Sequence, residues 1–195
     1  MQKKHEIKLL VLSDITDFKQ DDVLTRLDMT SRRHYDMIIG IGDIPQAILD
    51  SLNSQFDSSL IALLPKTKRL HVEPTDGIEY FNLRKYFFSG DGTILGYGSS
   101  FDNRKPVPIG DYEKYTADIL VSYYPPKHIN IHKEQDTWET PDPIGHDEVN
   151  RYGAFQNPKF ILHGCRKNNY EHELSNGTKI ISVYGMQEKH LIFKK

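Results

Sequence analysis

Residues 37–43 read Met37-Ile-Ile-Gly-Ile-Gly-Asp43, and this stretch decides the fold. The run Met37–Ile41 has no polar position and no alternation. A strand of that kind is buried on both faces, which is the condition of a strand inside a parallel sheet. Gly42-Asp43 closes the run with residues suited to a tight turn and puts a carboxylate at the strand tip. The pattern recurs along the chain. Ile7–Leu12 leads to Ser13-Asp14, Leu60–Leu64 is stopped by Pro65, Ile119–Val121 runs into Ser122-Tyr-Tyr-Pro-Pro126, and Phe160–His163 is stopped at Gly164. Between the first three runs lie two helical patterns. Asp21–Leu27 has Val23, Leu24 and Leu27 on one face; Ala47–Leu52 has Ile48, Leu49 and Leu52 together, with Pro45 suited to its first turn. Strand–helix–strand–helix–strand calls for right-handed crossovers and a parallel sheet.

The remaining segments read differently. Ile78–Phe81, Lys85–Phe88 and Thr93–Gly98 predict short strands paired as a meander. Lys127–His146 has little periodicity and predicts a long loop, which in a compact domain covers something or moves. A short helix is expected over Asp147–Phe155. Tyr170–Leu174, Lys179–Val183 and His190–Phe193 predict three antiparallel strands. Ser175-Asn-Gly177 reads as the turn of a hairpin in preference to a glycosylation acceptor. There are no internal repeats and no domain boundary, so residues 1–195 predict a single domain.

The bulk numbers narrow the function class. The 195 residues are 37% hydrophobic and 27% charged, enough apolar chain for a real core. A net charge of -2 and a pI near 6.5 argue against a general nucleic-acid or membrane-surface binder. The single cysteine, Cys165, excludes an intramolecular disulfide and favours a reducing compartment. No segment is long and apolar enough to span a bilayer, and the N-terminus runs straight into a strand, so the expected location is cytoplasmic.

Ligands of open α/β sheets bind at the carboxyl ends of the parallel strands. Here five such tips carry polar or special residues: Asp14-Ile-Thr16, Gly42-Asp-Ile-Pro-Gln46, Pro65-Lys-Thr-Lys68, Ser122-Tyr-Tyr-Pro-Pro126 and Gly164-Cys-Arg-Lys167. Their order and spacing resemble the calcineurin-like metallophosphoesterases over most of the chain, from about Leu9 to Val183. That family has Asp-x-His, Gly-Asp-x-x-Asp, Gly-Asn-His, Thr-His-x-Pro-Pro and Gly-His-x-His at these places. The resemblance implies a four-layer α/β/β/α sandwich of two mixed sheets. It also implies a dinuclear metal site that hydrolyses phosphoesters with a metal-bridging hydroxide.

The motif positions depart from that pattern in one direction. Asp14 and Asp43 keep two aspartates, while Thr16, Tyr123, Cys165 and Lys167 replace histidines and Gln46 replaces an aspartate. Lys66, with Pro65 and Thr67, stands where Asn and His are expected. The vestigial site is therefore Asp14, Thr16, Asp43, Gln46, Lys66, Tyr123, Cys165 and Lys167. Lys66, Lys68 and Arg166 are candidate anion-binding residues, and one or more basic side chains is expected to compensate the two carboxylates in place of metal. His163 reads as a satisfied, partly buried residue. His128 and His132 read as solvated, and Tyr123-Tyr124 and Trp138 as packing aromatics. No metal cofactor is expected; if one binds, its ligands are Asp14 and Asp43, with manganese or another divalent ion.

Two functions follow. The first is a catalytically degenerate member of the family acting as a binding or regulatory module, for a protein partner or a small anionic ligand. The alternative is a divergent, active metal-dependent phosphodiesterase using Asp14 and Asp43. The exposed edge of the C-terminal strands offers a surface for a homodimer.

Overall fold

A computed structural model describes residues 4–63, 76–80, 83–88, 92–98, 109–110, 113–127 and 145–194. The first apolar run becomes β1 (Lys4–Ser13), followed by α1 (Gln20–Thr30), β2 (Met37–Ile41), α2 (Gln46–Gln55) and β3 (Ser59–Leu63). β1, β2 and β3 are neighbouring parallel strands, as their apolar runs predict. β1 shows why such runs are apolar on both faces, with Lys8 the one charged residue inside its run. Its odd residues Ile7, Leu9 and Val11 enter one core cluster, and its even residues Leu10 and Leu12 enter another. The second cluster holds Val23 and Leu27 of α1 with Ile48, Leu49 and Leu52 of α2, so both helices cover the same face of the sheet.

The first sheet is completed by β4 (Ile78–Tyr80) beside β3 and β11 (Gly185–Lys194) beside β1, in the order β11-β1-β2-β3-β4. The second sheet contains β5 (Lys85–Phe88), β6 (Gly92–Tyr97), β7 (Ile119–Ser122), β8 (Phe160–His163), β9 (Tyr170–Glu173) and β10 (Lys179–Ser182). Their spatial order is β5-β6-β7-β8-β10-β9. The two sheets meet face to face. Phe193 of β11 packs its ring against Phe88 of β5 and Phe160 of β8, with centroids 5.3 and 5.2 Å away. The helix α3 (Asp147–Gln156) covers the other face of the second sheet. Gly153 sits close enough there that an added Cβ would lie 3.2 Å from Ile161 Cδ1. The result is a four-layer α/β/β/α sandwich of two mixed sheets.

Two expectations about strand pairing are corrected. The middle strands do not form one meander: β4 lies parallel to β3 in the first sheet, whereas β5 and β6 pair antiparallel in the second. The last three strands are not a consecutive antiparallel set. β9 and β10 form an antiparallel hairpin, but β10 also runs parallel to β8, and β11 crosses to the first sheet to pair antiparallel with β1. Alternation specifies which side chains are buried; it does not specify which of two stacked sheets a strand joins. The Ser175-Asn-Gly177 turn is as expected. Gly177 has φ +85°, and the Asn176 amide donates to the Gly153 carbonyl at 3.2 Å. Among the described residues no helix is long and apolar enough to cross a membrane.

Candidate functional site at the strand tips

The tips of β1, β2, β7 and β8 bring Asp14, Asp43, Tyr123 and Cys165 together. The backbone there is unusual. Asp14, Asp43 and Cys165 have φ of 53°, 48° and 63°. Those are three of the five non-glycine positive values among the described residues, and each costs on the order of 1–2 kcal/mol. Such strain persists where surrounding contacts over-determine the chain, and it gathers at sites. Gly42 has φ +62° and lies against the Tyr123 ring; a Cβ there would come within 2.3 Å of Tyr123 Cδ2. Gly164 approaches β1 so closely that a Cβ would lie 2.1 Å from Ser13 Oγ. The two glycines are needed because neighbouring strand tips converge on this point.

Uncharged groups donate to both carboxylates. Asp14 Oδ2 accepts from Ser13 Oγ at 2.7 Å and from the Cys165 amide at 2.9 Å. Asp43 Oδ2 accepts from the Tyr123 hydroxyl at 2.8 Å. The other oxygen of Asp43, Oδ1, is buried and has no hydrogen-bond partner. Burial pushes the Asp14 carboxyl up to about 6, against the lowering effect of its Ser13 and Cys165 donors; the charges of Asp43 and Asp17 push the same way as burial. Burial, followed by the negative potential of Cys165 and Asp43, raises the Tyr123 phenol far above its ordinary range, so it remains a donor.

The other residues expected at the site fall as follows. Thr16 is exposed, and its amide donates to the Asp43 carbonyl at 3.3 Å. Gln46 sends its side-chain amide along α2 to Asp50 at 2.8 Å. Lys167 turns to Asp17, 3.2 Å away, with its side chain 79% exposed; Asp17 also accepts from Tyr184 at 3.2 Å. The cationic replacement expected for the metals is thus not made by Lys167. Hydroxyl and amide donors do that work, because they reach a partly buried carboxylate without themselves needing charge compensation. The charge of Arg166 is felt at His163 and Tyr170. Lys66 and Lys68 lie outside the described residues, as do His128, His132 and Trp138.

His163 is fully buried and satisfied, deeper than the partly buried residue expected. Its Nε2 meets the Tyr170 hydroxyl at 2.8 Å, and its Nδ1 lies 2.9 Å from the Gly164 carbonyl. A carbonyl can only accept, so Nδ1 carries the proton and Nε2 accepts. Tyr124 packs edge-on against Tyr123 at 5.3 Å and leads on to Tyr97 and His146, in keeping with its reading as a packing aromatic. The sequence reading missed Ser13. Its signal was a hydroxyl directly after the apolar stretch Leu9–Leu12, where a buried polar group needs a partner.

A two-ion hydrolytic centre needs several anionic or imidazole ligands. Among the described residues no group of three or more His, Cys, Asp and Glu is placed to hold a metal. One oxygen of each aspartate is already taken by a hydrogen-bond donor, and the Tyr123 ring lies against Gly42. The residues present do not fit a dinuclear metal group.

The sequence matches no family model and no curated protein. Solved structures do match. TT1561 of Thermus thermophilus superposes with a TM-score of 0.61 at 12% identity, over 97% of this chain and 99% of that one. An archaeal phosphodiesterase superposes with a TM-score of 0.53 at 8% identity, over 96% of this chain and 100% of its own. The chain has the metallophosphoesterase-like fold. At identities this low the likeness concerns architecture alone, and the chemistry rests with the side chains at the tips.

Proposed function

We propose that this protein is a catalytically degenerate metallophosphoesterase-like domain that acts as a binding or regulatory module, without a metal cofactor, in the cytoplasm. One observation carries the reading: Asp14 and Asp43 are each held by uncharged donors, Ser13 Oγ and the Cys165 amide for one and the Tyr123 hydroxyl for the other. Donors of this kind also orient carboxylates that bind metal, so the reading rests on their being joined by no third ligand: among the described residues no group of three or more His, Cys, Asp and Glu is placed to hold an ion. The partner is a protein or a small anionic ligand, the latter through Arg166 and the lysines of the 66–68 stretch.

The second reading is a divergent active phosphodiesterase, and one feature favours it. Asp43 Oδ1 is buried with no hydrogen-bond partner, as a carboxylate awaiting a cation would be. Metal content of the purified protein by mass spectrometry, with hydrolysis of a chromogenic phosphodiester in manganese, separates the two. The degenerate reading expects no stoichiometric metal and no turnover. Tight metal with activity abolished by Asp43→Asn would overturn it.

A further inference from the structure

The geometry points to Tyr123 as an internal occupant of the strand-tip site, a ring and hydroxyl that exclude a cation from Asp43. The inference rests on the degenerate reading and deepens it by naming the residue that keeps the site closed.

Three contacts fix the ring in place. Its edge lies against Gly42, whose missing Cβ would fall 2.3 Å from Tyr123 Cδ2 and 2.6 Å from Cε2. Its hydroxyl donates to Asp43 Oδ2 at 2.8 Å. Behind it, Tyr124 packs edge-on at 5.3 Å, and Tyr124 is itself held at its backbone. Its amide donates to Ser122 Oγ at 3.0 Å, while its carbonyl accepts from that same hydroxyl at 2.8 Å. Tyr123 is 3% exposed, so the ring is a wall of the site and not a mobile cover.

The chemistry agrees with the packing. A phenol brings a proton with partial positive charge to the carboxylate but no net charge, and it fills the space beside Gly42 with an apolar face. A divalent ion approaching Asp43 Oδ2 would have to displace that proton and the ring behind it. Asp43 Oδ1, buried and without a donor, is what remains of an oxygen pair of which the tyrosine satisfies half. Asp14 has its own donors, Ser13 Oγ and the Cys165 amide, neither of them part of Tyr123.

Manganese chloride alone is the probe, with melting temperature as the readout. Wild type should shift by less than about 1 °C in millimolar manganese. Tyr123→His, which shortens the ring and supplies an imidazole, should gain several degrees with manganese, and Tyr123→His with Asp43→Asn should lose that gain. If wild type itself gains several degrees and Asp43→Asn removes the effect, both the exclusion and the degenerate reading fall. If wild type is indifferent and a folded Tyr123→His, checked by circular dichroism, is indifferent too, the exclusion alone falls. Tyr123→Phe, which preserves the packing, covers the case of a variant that does not fold. Its loss in melting temperature should shrink by at least half when Asp43 is also changed to Asn; additive losses would overturn the role of the hydroxyl.

Discussion

The amide of Cys165 donates to Asp14 Oδ2 at 2.9 Å across 151 residues of sequence. This bond ties the tip of β8 to the tip of β1. It holds Cys165 at φ 63° and gives Asp14 a donor that carries no charge. Asp14 is therefore satisfied in hydrogen bonding and unsatisfied in charge, which is why burial dominates its acidity.

Asp14→Asn should stabilise the protein at pH 8. The Asp14 carboxyl lies near 6 when folded against 3.8 as its ordinary value, so the folded state favours the proton. That contribution is complete below about pH 4 and is lost as pH rises through 6, at most about 3 kcal/mol. Asparagine keeps an acceptor for Cys165 and cannot ionise. Urea unfolding should show a variant-minus-wild-type gain of about 1–3 kcal/mol at pH 8 that vanishes by pH 4. A loss at pH 8 would contradict it.

His163 has the opposite sign. Burial holds it near 4 against an ordinary 6.5, so its contribution is present above 6.5 and is lost as pH falls toward 4, again at most about 3 kcal/mol. The two windows overlap, and the wild-type contributions oppose one another between pH 4 and 6.5. His163→Gln keeps an acceptor for the Tyr170 hydroxyl and removes the titration. Its stability should rise on acidification relative to wild type over that range, whereas that of Asp14→Asn should fall.

Gly42→Ala and Gly177→Ala separate backbone strain from collision. Both glycines have positive φ, +62° and +85°, but a Cβ at Gly42 meets the Tyr123 ring and one at Gly177 meets nothing within 4 Å. Gly177→Ala should cost about 1–2 kcal/mol, the left-handed penalty alone. Gly42→Ala should cost at least about 1 kcal/mol more, because the ring cannot withdraw from its packing. Equal losses in denaturant titrations would count against the close approach.

The excursion after β7 leaves and returns at one place. Pro126 bridges to His146, the His146 amide donates to the Pro125 carbonyl at 2.9 Å, and Lys127 pairs with Asp147 at 2.9 Å. Replacing residues 128–144 with a short glycine linker should change the melting temperature by only a few degrees, since the two ends already meet and a shorter loop costs less entropy to close. Loss of cooperative unfolding would show that the fold depends on that segment.

Much of this fold was legible in the order of residues. Ile7–Leu12 declared itself as a strand, and Met37–Ile41 and Phe160–His163 as buried strands; β2 and β8 have those bounds. Asp14 and Asp43 were legible as carboxylates at strand tips. The replacement of the metals by cations was misread for Lys167, because proximity in a motif does not give direction: its ammonium found Asp17, solvated and three residues beyond Asp14. β11 was misplaced because Leu191 and Phe193 would be buried against either sheet.

The sequence by itself determined the apolar strands, the crossover helices and the presence of two tip carboxylates without histidines. These are local properties, set by which side chains a short segment must hide from water. Only the tertiary structure decided what each carboxylate touches. Tyr123 reaches Asp43 from 80 residues away and Cys165 reaches Asp14 from 151. A hydrogen bond depends on positions fixed to within a few tenths of an ångström, and that placement exists only once two stacked sheets have packed and their strand tips have converged.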